Sequence, residues 1–75
     1  MQNHSPIKKI WEENKMTTKG QITQIIGPVV DFRFPEGQLP AQGNAIHVQH
    51  NKQTITLETM QHLGDNVVRT VSMQS

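Results

Sequence analysis

Turn-forming clusters recur along this chain so closely that no long helix fits between them. Gly27-Pro28, Pro35-Glu36-Gly37, Asn51-Lys52-Gln53 and Leu63-Gly64-Asp65-Asn66 punctuate the sequence. Glycine permits backbone that other residues resist, and proline removes a ladder donor. The segments between them are short and alternate in polarity. Short strands spaced by about 8–12 residues, with such punctuation, read as an all-β barrel or sandwich.

The clearest strand is 29–34. Val30, Phe32 and Phe34 take one side; Val29, Asp31 and Arg33 take the other, which is the two-residue period of a half-buried strand. Residues 21–26 carry Ile22 and Ile26 on one face and Ile25 on the other. Gly27-Pro28 after them reads as a bulge, a corner or a turn. Three further strands are predicted at 44–50, 54–60 and 67–73. Ile46 and Val48 share a face, as do Ile55 and Leu57, and Val67, Arg69, Val71 and Met73 oppose Val68, Thr70 and Ser72. The predicted core is Ile22, Ile26, Val30, Phe32, Phe34, Ile46, Val48, Ile55, Leu57, Leu63, Val67 and Val71. A closed barrel is favoured over an open sheet, which would leave two exposed edges. The expected fold is all-β: a small closed β-barrel at 16–75 behind a short leader at 1–15, helical or disordered.

In that leader, Ser5 can cap a helix that Pro6 begins. Ile7, Ile10 and Trp11 then fall on one helical face. Such a helix is shorter than the roughly 12–15 residues that hold a helix in water. Three readings stand: a frayed tail, a helix that docks on a partner, or translation from an upstream start, since Met16 opens like a natural N-terminus. The segment lacks the apolar core of a signal peptide, and its adjacent Glu12 and Glu13 argue against a transit peptide.

Composition bounds the function. With 75 residues the chain is one small domain, and a whole enzyme with a nucleotide pocket is not expected at that length. There is no cysteine, hence neither disulfide nor thiolate metal site. A net charge of +1 gives no general attraction to nucleic acid or an acidic membrane. No apolar run approaches the roughly 20 residues of a membrane span.

The chemistry-bearing residues do not assemble into a motif. His47 and His50, three apart on a predicted strand, project to opposite faces. His62 sits near a turn and His4 in the leader. Asp31 and Glu58 could be imagined as an acid/base pair, but both fall opposite the main apolar sets of their strands, so a solvated outer face is expected for them. Ser72 and Ser75 have no neighbouring base. The glycines lack the spacing of a phosphate loop. Phe32 and Phe34 could stack bases, as in an oligonucleotide-binding barrel, but they also read as core. No catalytic, cofactor-binding or metal residue is assigned.

Two long ungapped blocks carry a resemblance. Residues 20–40, GQITQIIGPVVDFRFPEGQLP, and residues 56–73, TLETMQHLGDNVVRTVSM, resemble the opening strands of the beta subunit of F-type ATP synthases. Where the family carries Val, this chain has Thr59; His47 replaces a usual Glu, and Gln42-Gly43 a bulky pair. The resemblance implies a closed six-stranded N-terminal crown barrel that packs beside alpha-subunit barrels and holds an alternating ring. It implies a parent that makes ATP, with Mg-nucleotide bound in a domain beyond the barrel and with proton or sodium transport. The chain itself is then a fragment without enzyme activity or cofactor, expected on the cytoplasmic, inner face of an energy-coupling membrane without inserting. The alternative from another class is a free-standing barrel that binds single-stranded nucleic acid.

Overall fold

In a computed structural model the chain is all-β, and the structure describes residues 7–12 and 17–73. Six antiparallel strands run β1 Ile7–Glu12, β2 Thr17–Ile26, β3 Val29–Arg33, β4 Ala45–His50, β5 Gln53–Gly64 and β6 Val67–Ser72. They are ordered β1-β2-β3-β6-β5-β4, and β1 pairs with both β2 and β4 to close the barrel.

One expectation is overturned here. Ile7–Glu12 is a strand, not a helix. The i, i+3, i+4 pattern is genuine, but too short to sustain an isolated helix, while two strand edges offer backbone partners on both sides. Three pieces of that reading, Ser5, Pro6 and the Met16 start, lie outside the described residues.

The turns follow local chemistry. Ile26 pairs with Val29, so Gly27-Pro28 is a two-residue hairpin turn. Gly27 has φ +57°, which fits a turn of type II′ with glycine in its first central position. Asn51 and Lys52 (φ 50° and 66°) and Asp65 and Asn66 (φ 55° and 62°) both have the doubly left-handed backbone of a type I′ turn. Its handedness matches the twist of the strands, which offsets the cost of holding Lys52 there.

The core is Phe32, Phe34, Ile46, Val48, Leu57 and Val68, with Ile22, Val30, Leu39 and Ile55 packed against it. Phe32 and Phe34 stack at a tilt, ring centroids 6.0 Å apart. Thr59 and Thr70, opposite one another on β5 and β6, are also fully buried.

Four predicted core positions do not hold. Val67 and Val71 are only half-buried, and Val68 points inward instead. The register shows why: Val68 lies opposite Phe32, and directly opposed residues share a face of the sheet. Once Phe32 is inside, so is Val68, and Val67 and Val71 turn out. Ile26 and Leu63 are exposed. The pairing of β2 with β3 slips between Ile22 and Gln24. The extra residue, Thr23, puts Ile26 on the outer face with Gln24. In β5 the register slips between Thr59 and Gln61 and again between His62 and Gly64. Met60 and Leu63 are the two inserted residues, and both are exposed.

Candidate functional site

A two-pronged ion pair lies on the outside of the barrel, where β3 meets β6. The two strands pair with Asp31 opposite Arg69. Asp31 alternates with Val30 and Phe32, so inward aromatics force its carboxylate outward. Arg69, between inward Val68 and Thr70, is turned out in the same way. Arg69 Nε and Nη2 each donate to one carboxylate oxygen of Asp31, both at 3.0 Å. This two-pronged geometry is the strong form of an ion pair. The hydrogen bond first, and then the attraction of the carboxylate, raise the Arg69 pKa above its ordinary value, against a smaller opposing effect of burial. Thr23, the bulge residue of β2, donates from Oγ1 to the Asp31 carbonyl at 3.3 Å. Thr70 Oγ1 donates to the Val30 carbonyl at 2.8 Å.

Asp31 is therefore not a solvated carboxylate. It is 4% exposed, although it lies on the outer face as expected. The arginine laid over it and the bulged strand beside it exclude water. Both of its oxygens are held by one guanidinium, which suits a fastener better than a proton carrier. Glu58 is half-buried on β5, and β6 separates it from β3. The two carboxylates are on non-adjacent strands.

The remaining candidates scatter. His47 Nδ1 and Thr56 Oγ1, cross-strand neighbours, share a hydrogen bond at 3.1 Å. His62 Nε2–H donates to the Pro40 carbonyl at 2.6 Å. That contact, with the Phe34 amide on the Asn66 carbonyl at 2.9 Å, ties the loop after β3 to the far end of β5. Of His50 only the backbone is described; His4 and Ser75 lie outside the described residues. Among the described residues no three His, Cys, Asp or Glu side chains gather to hold a metal ion, and no helix is long and apolar enough to cross a membrane. Phe32 and Phe34 are 2% and 3% exposed, so the aromatic pair that a base-stacking surface would need is interior.

Two features escaped the sequence. The Asp31–Arg69 pair joins residues 38 positions apart, and only the adjacency of β3 and β6 brings them together. The second is an apolar rim. Ile25, Ile26 and Met73 are all more than half exposed. The Ser72 amide donates to the Pro28 carbonyl at 2.8 Å, which brings the end of β6 to the β2–β3 turn and these side chains to one end of the barrel.

Residues 22–75 match the model of the ATP synthase alpha/beta family, beta-barrel domain. The match covers most of the chain, and the chain belongs to that family.

Proposed function

We propose that this member of the ATP synthase alpha/beta family is a barrel of the beta-subunit type, whose work is to hold an alternating alpha/beta ring together. The observation that carries the reading is the way its two signature blocks meet. Residues 20–40 contribute β3 and Asp31; residues 56–73 contribute β6 and Arg69; a five-pair ladder and the ion pair join them. The blocks most like the beta subunit are thus the two sides of a single seam. The exposed apolar side chains Ile25, Ile26 and Met73 suit a barrel that stands beside others, because burying such surface stabilises a small domain.

On this reading the partners are alpha-subunit barrels. ATP synthesis coupled to proton or sodium transport is an activity of the whole enzyme, at the inner face of the energy-coupling membrane. Mg-nucleotide, on the same reading, is held in a domain beyond the barrel.

The test is to mix the chain with the N-terminal barrel of an alpha subunit and follow thermal unfolding by circular dichroism. The expected result is a higher midpoint for the mixture than for either part. No shift with the alpha barrel, together with a salt-dependent shift on adding single-stranded oligonucleotide, would overturn the reading in favour of nucleic-acid binding.

A further inference from the structure

The barrel is closed by a strand that lies ahead of the family match, and that strand is its least secured element. On one side, β1 pairs with β4 through only Ile10–Val48, Trp11–His47 and Glu12–Ile46, whereas β4 runs six pairs along β5. On its other side β1 meets β2, with Lys9 directly opposite Lys19 and Lys8 opposite Gly20. Like charges face to face weaken a ladder, and glycine brings no side chain to the pair. Behind the short seam stand Ile46 and Val48, both core residues. When β1 lifts away, it uncovers strand edges on β2 and β4 and the flank of the core. Unpaired edges of this kind take up another strand.

We propose that β1 is an exchangeable closing strand, and that the slot between β2 and β4 is a homodimerisation site filled reciprocally by β1 of a second copy. The occupant is specified by the register. An identical segment restores every β1–β2 and β1–β4 pair, which no unrelated strand is constrained to do, and exchange of an identical element is a low-cost route to a dimer. In sequence, β1 ends at Glu12 and β2 begins at Thr17. The inference stands apart from the family reading, since β1 precedes residues 22–75.

The chain has no native cysteine, so disulfide trapping is clean. One full-length chain carries Trp11→Cys, a second carries His47→Cys and a solubility-neutral mass tag, and the two are unfolded, mixed at high concentration, refolded and oxidised. The expected product is a mixed disulfide joining the two chains, with the doubled mass in sedimentation. A chain carrying both substitutions, refolded dilute, should instead close on itself as a monomer. The unsubstituted chain is measured in parallel and should give a species of doubled mass after concentrated refolding. Unsubstituted chain that stays monomeric at every concentration overturns the proposal. So does an unsubstituted dimer whose cysteine counterparts form no mixed disulfide, because that dimer uses another face.

Discussion

Arg69 grips both carboxylate oxygens of Asp31 at 3.0 Å across the β3–β6 seam, where the carboxylate is nearly closed off from water and the guanidinium is partly open to it. The arrangement makes the two residues unequal. Removing the arginine strands a carboxylate in a dry place; removing the carboxylate leaves a cation that water can still reach. Arg69→Met should therefore lower the thermal midpoint more than Asp31→Asn does. The double substitution should recover part of the loss. Arg69→Lys should fall short of wild type, because an ammonium is a point charge without the planar fork. Strictly additive effects in the double-mutant cycle would show that the pair is not coupled. The raised pKa of Arg69 sets the sign of the pH dependence. Its contribution is complete below the pKa of the unfolded guanidinium and fades only as pH rises through the higher folded value. No loss attributable to Arg69 is expected through neutral and mildly alkaline pH.

Thr59 is fully buried, and its Oγ1 has no hydrogen-bond partner among the described residues. A buried hydroxyl left unsatisfied costs about 1–3 kcal/mol. Thr59→Val keeps the branched shape that suits a strand and removes the oxygen. It should raise stability by about 1 kcal/mol in urea titration, within that range. A loss of stability would mean that the hydroxyl is satisfied in solution.

Phe32 sits at the centre of the core with 2% exposure. Phe32→Ala should cost about 3–5 kcal/mol, enough to unfold a small barrel. Melting curves with and without oligonucleotide check the assignment. A well-folded variant that merely loses oligonucleotide affinity would place the ring at a binding surface, against the burial seen.

A chain beginning at Met16 lacks β1 and exposes the edges of β2 and β4. It should melt well below the full chain and self-associate through those edges. A melting curve superimposable on that of the full chain would show that β1 adds nothing to the barrel.

How far the sequence reveals this molecule depends on what each residue reports. Alternation reports a strand, and β3 to β6 are found where Val29–Arg33, Ile46, Leu57 and Val68 suggest, though β5 runs on to Gly64. Alternation does not say which side faces in. Val67, Val71 and Met73 outnumber Val68 as apolar residues, yet Val68 is inside because its neighbour across the seam is Phe32. Bulges are equally silent: nothing in their own identities marks Thr23, Met60 and Leu63 as the inserted residues. The leader escapes local reading for a related reason. Its helical spacing is a local signal, whereas the vacant edges of β2 and β4 that recruit it as a strand are a property of the assembled sheet. The Asp31–Arg69 pair combines both failures, since each residue's outward direction is legible and their meeting is not.

The order of the strands also sets how the barrel is reached in time. The β1–β2, β2–β3, β4–β5 and β5–β6 contacts join neighbours in the chain, and the last three have tight turns at Gly27-Pro28, Asn51-Lys52 and Asp65-Asn66. Hairpins of this kind form in roughly 1–10 μs. The β3–β6 and β1–β4 seams instead bring together residues far apart in sequence, Asp31 with Arg69 and Ile10 with Val48. Chain entropy must be surrendered before either seam returns any energy, so folding of the whole should fall on the order of milliseconds to seconds. In a stopped-flow experiment the meander of β4, β5 and β6 should gain structure ahead of β3–β6 docking. During that interval the unclosed sheet is exposed to its neighbours in solution, and crowding of nascent chains becomes the hazard that its topology carries.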